Sequence, residues 1–223
     1  MIRNIPGWIL IACIVLAFSA GYINSIALLS FDHQAVSHIT GTLTSTASAA
    51  SQRAGAELWS GGALLISFFI GAIASGIIIG NEALKKGRRY GVALTLESLC
   101  LLLAWWLFRE GHIAGEWLAS AACGLQNAMV ATYSGSVIRT THMTGILSDI
   151  GSAVGNLLAR RRVLKPQLRL QLGILASFFA GGIAGAWLFS VVSVDALLLP
   201  ACWVFVLAVI YQLSLRRFSG SSQ

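Results

Sequence analysis

Two short strings carry much of the polar chemistry of this apolar chain: Ser37-His38-Ile39-Thr40-Gly41 and Thr141-His142-Met143-Thr144-Gly145. Each sets an imidazole, a hydroxyl and a glycine where a helix could begin. Thr40 and Thr144 are good N-cap residues, and Gly41 and Gly145 behind them let another backbone or a ligand approach closely. A helix start has N–H groups without intrahelical acceptors and carries partial positive charge, so two such ends facing one another would hold an anion. Asn24, Gln126 and Asn127 add neutral donors and acceptors that cannot stay unpaired in lipid; bonding between helices accounts for them about as well as contact with a solute. Glu97 sits within Leu94-Thr95-Leu96-Glu97-Ser98-Leu99. An acid at the centre of a span costs about 2.5–3.5 kcal/mol. It should therefore face the bundle interior as a proton carrier or solute ligand, or else serve as a hydrogen-bonded structural glutamate. Neither His38 nor His142 has a cysteine or acid at ligand spacing, so no metal site is expected. No nucleophile beside a base and no glycine-rich phosphate loop is visible, so no catalytic residues, no cofactor and no enzyme are expected.

The elements that must position these groups follow from composition. The 223 residues are 57% hydrophobic and 10% charged, with a mean hydropathy of +0.79, which places the chain among integral membrane proteins. Apolar runs of roughly 20 residues, the length that crosses a hydrocarbon core, lie near 7–29, 61–81, 90–108, 113–133, 170–190 and 194–214. The expected fold class is thus all-α, with six transmembrane helices in one membrane domain. The net charge of +7 is a topology signal, not a sign of nucleic acid. Arg3, Lys85, Lys86, Arg88, Arg89, Arg139, Arg160, Arg161, Arg162, Lys165, Arg169, Arg216 and Arg217 gather at the termini and even loops. The odd loops hold Arg53 and Arg109 with Asp32, Glu57, Glu110, Glu116 and Asp195. The positive-inside rule makes both termini cytoplasmic. Arg3 and the following apolar run resemble a secretory signal, but the run continues past Cys13 to Leu29. Cys13, Cys100, Cys123 and Cys202 read as small buried thiols, and Trp8, Trp59, Trp105, Trp106, Trp117 and Trp187 as an interfacial belt.

The paired strings also report an internal repeat. Asn24 to Asn127 is 103 positions, His38 to His142 and Thr40 to Thr144 are 104, and Ser67-Phe68-Phe69-Ile70-Gly71 matches Ser177-Phe178-Phe179-Ala180-Gly181 at 110. Two matches in the same order argue for two copies of one unit. With three spans per copy, the second must be inverted. The expected repeats are 1–109, with spans one to three and a half-helix at 40–52, and 110–217, with spans four to six and a half-helix at 144–159. Inverted repeats with discontinuous helices are a layout of secondary transporters, whose sites lie near the midplane. Phe31 to Ile39, at about 3.3 Å per residue, could reach roughly 30 Å if extended, enough to dip about 15 Å to that depth. A re-entrant helix at each Thr-Gly motif is the expectation. The alternative is an ordinary interfacial helix with His38 and His142 wetted at the headgroups.

On Gly21-Tyr22-Ile23-Asn24, Ser37 to Gly41, Gly124-Leu125-Gln126-Asn127-Ala128 and Thr140 to Gly145, the chain resembles the YoaK family of bacterial six-span membrane proteins, domain of unknown function 1275, over nearly its whole length. The resemblance implies a multi-pass protein of the bacterial cytoplasmic (inner) membrane and brings no substrate. The family pattern has aspartate where Asn24 stands and asparagine where Thr42 stands, which leaves any proton coupling here to Glu97. The functional expectation is a transporter of a small polar or anionic solute by alternating access. Asn24, His38, Thr40, Gly41, Gln126, Asn127, His142, Thr144 and Gly145 would bind the solute, and Glu97 would couple protons. An anion-selective channel and a non-transport scaffold or assembly protein are the alternatives. The expected partners are the lipid bilayer and a small-molecule or ion substrate, with no nucleic acid; a homo-oligomer is compatible with all of this.

Overall fold

Where lipid excludes water, every backbone N–H and C=O must be paired inside the chain, and a chain this apolar meets that demand with helices. The computed structural model describes residues 7–30, 34–80, 88–134 and 139–219. In order they form α1 (Gly7–Leu29), α2 (Ile39–Gln52), α3 (Gly55–Ile79), α4 (Arg88–Arg109), α5 (Ala114–Tyr133), α6 (Met143–Leu158), α7 (Lys165–Val192), a 3₁₀ turn (Ser193–Leu197) and α8 (Leu198–Ser219). Arg3, Asp32, Lys85 and Lys86, read above as topology-setting charges, lie outside the described residues, as do the side chains of Trp8, Arg88, Arg216 and Arg217.

Two crossings dominate the packing, α1 on α7 and α3 on α5. Both depend on a glycine. A Cβ on Gly21 would run into the backbone carbonyl of Phe178, and one on Gly124 into that of Phe68. Gly21 and Gly124 stand 103 positions apart, the offset between Asn24 and Asn127, and Phe68 and Phe178 belong to the strings matched at 110. The same close approach of a glycine to a phenylalanine carbonyl thus occurs at both crossings. Small residues let helices approach this closely, which is the main route to association where lipid tails are as apolar as leucine. Outside the crossings, Ile66, Phe69, Ile70, Ile73 and Ile77 of α3, and Phe179, Ile183, Trp187 and Val191 of α7, form exposed apolar stripes at helical spacing, the faces a membrane would cover.

The expectation of six transmembrane helices in two inverted three-helix repeats is corrected by the structure. Among the described residues, four stretches are long and apolar enough to cross a membrane: Leu10–Leu29, Gly55–Ile79, Arg89–Arg109 and Lys165–Ser214. The last holds both α7 and α8, which follow each other through the 3₁₀ turn, so the runs expected at 170–190 and 194–214 fall in one continuous stretch. The run at 113–133 is a helix, but Glu116, Ser120, Gln126 and Asn127 make α5 too polar to qualify. Its polar groups are tolerated because α3 and α4 pack along it.

Two local expectations change as well. The helix caps are His38 and His142, not Thr40 and Thr144; both histidines have φ −87° and ψ 57°, and neither makes a side-chain cap bond. The segment before α2 is not extended throughout, because the His38 N–H donates to the Ala35 carbonyl at 3.2 Å and closes a turn. Phe31 lies outside the described residues.

Candidate functional site

Each Thr-Gly helix is placed by a polar side chain on a neighbouring core helix, and the two copies solve the problem differently. In the first, the Asn24 Oδ1 on α1 accepts from both the N–H and the O–H of Ser37, each at 3.0 Å. This carboxamide acts as an external cap for the turn, so that α2 starts at Ile39. From α5, the Ser120 hydroxyl lies 3.0 Å from the carbonyls of Val36 and Leu64 and ties the turn to α3.

In the second copy the anchor moves by one residue. Gln126, only 1% exposed, donates from Nε2 to the Leu16 carbonyl at 2.9 Å and to the Thr140 hydroxyl at 3.1 Å. By the repeat, Gln126 stands where the first copy has Ile23, and Thr140 where it has Val36, so this clamp replaces a buried apolar contact. The consequence falls on Asn127, the equivalent of Asn24. Its Oδ1 is buried and has no hydrogen-bond partner among the described residues. A buried unpaired carbonyl costs about 1–3 kcal/mol unless something supplies a donor.

Asn127 lines a cavity of about 240 Å³ that both Thr-Gly motifs share, with His38, Thr40, Arg139, His142 and Thr144 also on its wall. The imidazoles fold back over the first helical turns. A Cβ on Gly41 would meet the His38 ring, and one on Gly145 the His142 ring. This is why glycine occupies both positions. The His38 and His142 carbonyls accept the first intrahelical bonds, from Thr42 at 3.0 Å and Ile146 at 3.1 Å. The N–H groups of Ile39, Thr40 and Gly41, and of Met143, Thr144 and Gly145, therefore have no intrahelical acceptor. Two positive helix ends and Arg139 border the cavity, and among the described residues its lining contains no acid, a field suited to negative charge.

The structure thus brings His38, Thr40, Asn127, His142 and Thr144 together around one space. It puts Gly41 and Gly145 beneath the imidazoles, Asn24 behind the α2 turn, and Gln126 in the frame. Arg139 reads in the sequence as a loop charge, yet it lines the cavity; the signal for it is its place three residues before His142, where Ala35 stands before His38. Phe68 of α3 also lines the cavity.

Glu97 lies elsewhere. It is 1% exposed on α4, neither carboxyl oxygen has a hydrogen-bond partner among the described residues, and Cys100 and Cys123 are within its electrostatic reach. It does not line the cavity. Of the expected thiols, Cys13 and Cys123 are buried, Cys100 is half-buried and Cys202 is exposed.

A family model described as a protein of unknown function (DUF1275) matches residues 12–210. No curated protein and no solved structure matches the chain.

Proposed function

The chain belongs to the DUF1275 family and is a multi-pass membrane protein, and from this premise we propose that it moves a small anionic or polar solute across the membrane through the cavity between α2 and α6. The carrying observation is the convergence of two helix starts, Arg139 and an Asn127 Oδ1 without a partner among the described residues on one space of about 240 Å³ whose described lining holds no acid. The solute's negative group would lie toward the guanidinium and the free N–H groups, and a donor on the solute, or a water it carries, would satisfy Asn127. Thr40 and Thr144 add hydroxyls from opposite sides, so a solute held between them contacts both copies at once. Alternating exposure of the cavity then follows from small changes at the α1–α7 and α3–α5 crossings. Glu97, remote from the solute, would couple protons through the packing of α4 on α5, not by touching the cargo.

The test uses the purified protein in proteoliposomes with inorganic phosphate, sulfate and short carboxylates as probes. At least one anion should raise the melting temperature, and Arg139→Ala should weaken that anion roughly tenfold, as expected for loss of a charged hydrogen-bonding partner. Single cysteines at positions 40 and 144 should react with impermeant thiol reagents from both faces, with protection by the same anion. Glu97→Gln should abolish proton-driven uptake and leave anion binding intact. No stabilisation by any probe, or reactivity from one face only, would overturn the proposal.

A further inference from the structure

A second cavity, also of about 240 Å³, opens between the end of α6 and the start of α7, away from the Thr-Gly motifs. Asp149, Ser152 and Asn156 line it from α6, Arg162 from the connection, and Gln167 and Gln171 from α7. The Gln171 Nε2 donates to the Asp149 Oδ2 at 2.7 Å, which fixes the carboxylate at one side of the space. Asp149 and Arg162 share the cavity yet form no ion pair with each other. Arg160, Arg161, Lys165 and Arg169 around it also have no acidic partner among the described residues. Opposite charges that line one space without meeting leave a gap for a ligand that carries both signs.

The surroundings say what kind of ligand. Leu164 on its wall is 61% exposed, so the polar cavity opens beside bare apolar surface. It also stands where the long apolar stretch Lys165–Ser214 begins, the boundary at which headgroups lie. Arg53 and Arg160 both turn the chain at φ 57°, but only Ala54 then separates Arg53 from α3, whereas Arg161 to Leu164 separate Arg160 from α7. The longer connection supplies Arg162 and Leu164 to the cavity.

We propose that this cavity binds the headgroup of a phospholipid that carries a phosphate and a primary ammonium, with the phosphate on Arg162 and the ammonium on Asp149, and the acyl chains leaving past Leu164. The planar guanidinium suits a phosphate, and Ser152, Asn156 and Gln167 offer donors or acceptors to its remaining oxygens. A primary ammonium can donate to Asp149, which a quaternary ammonium cannot. This assignment is independent of the transport reading.

Native mass spectrometry of the full chain, titrated in detergent with matched phosphatidylethanolamine, phosphatidylcholine and phosphatidylglycerol, tests it. Phosphatidylethanolamine should bind most tightly. Arg162→Ala should weaken it roughly tenfold, and Arg162→Lys, which keeps the charge but loses the fork, should fall between. Asp149→Asn should erase the preference for phosphatidylethanolamine over phosphatidylcholine and should strengthen phosphatidylglycerol. Arg53→Ala should change nothing, and circular dichroism melts confirm that each variant is folded. Equal retention of the three lipids, a phosphatidylglycerol preference untouched by Arg162→Ala, or equal loss in Arg53→Ala would each overturn the proposal as a diffuse basic surface. Competition by free phosphoethanolamine as strong as that of the intact lipid would overturn the lipid as its source.

Discussion

The junction of α1 with α2 and the junction of α5 with α6 start from the same string and end in different chemical states. In the first, the Asn24 carboxamide is closed on Ser37. In the second, Gln126 and Thr140 take over the mechanical task, and the Asn127 Oδ1 at the cavity has no partner among the described residues. The two helix starts have matching geometry, but only one of the two asparagines is tied up in holding its turn. Arg139 adds to the difference, since Ala35 stands at the matching place before His38. The matching strings set the frame, and the residues that differ between them line the candidate site.

Three sets of substitutions break or sharpen this comparison. The largest effect is expected at the frame, where the copies are equivalent. Gly21→Leu and Gly124→Leu should each cost about 3 kcal/mol or more, because the added side chain meets backbone that cannot give way. Loss of monodisperse protein on size-exclusion chromatography reports it, and tolerance of one but not the other would show that the crossings are not equivalent. Next, Gln126→Leu should cost about 1–3 kcal/mol by leaving the buried Thr140 hydroxyl and Leu16 carbonyl without their donor. Ile23, its counterpart, already has no such bond to lose. Reversible denaturation in mixed micelles measures the difference.

The smallest effect on stability is the most telling. Asn24→Ala should destabilise by about 1–2 kcal/mol, since the Ser37 N–H and hydroxyl lose their acceptor. Asn127→Ala should change stability by less than about 0.5 kcal/mol, within the range of substitutions that remove no native contact, or raise it, while weakening the anion that Arg139→Ala also weakens. Equal destabilisation by the two alanines would mean that Asn127 is a second structural clamp and would remove it from the candidate site.

Much of this was legible in the residues. The offsets between Asn24 and Asn127 and between His38 and His142 located two helix starts, and the structure gives those histidines the same backbone angles. Glu97 reads as buried from its apolar neighbours alone. Threonine has the stronger intrinsic N-cap preference, yet the caps fall on His38 and His142, whose rings fold back over Gly41 and Gly145. The six-span expectation gave way because Glu116, Gln126 and Asn127 keep the helix at 113–133 below the apolarity of a span, and because the last two runs fall in one stretch, Lys165–Ser214.

Composition and local pattern determined that the chain is helical, crosses the membrane more than once and carries a repeated helix-start motif, because these follow from transfer energies and backbone satisfaction residue by residue. Only the tertiary structure decided which polar groups meet. Asn127, Arg139 and the two histidines converge on one space, Glu97 is kept apart from it, and Gln126 is committed to the frame. Those outcomes depend on how closely α1 meets α7 and α3 meets α5, distances set by contacts such as Gly21 with Phe178 and Gly124 with Phe68, which are far apart in the chain and of which no local window holds a record.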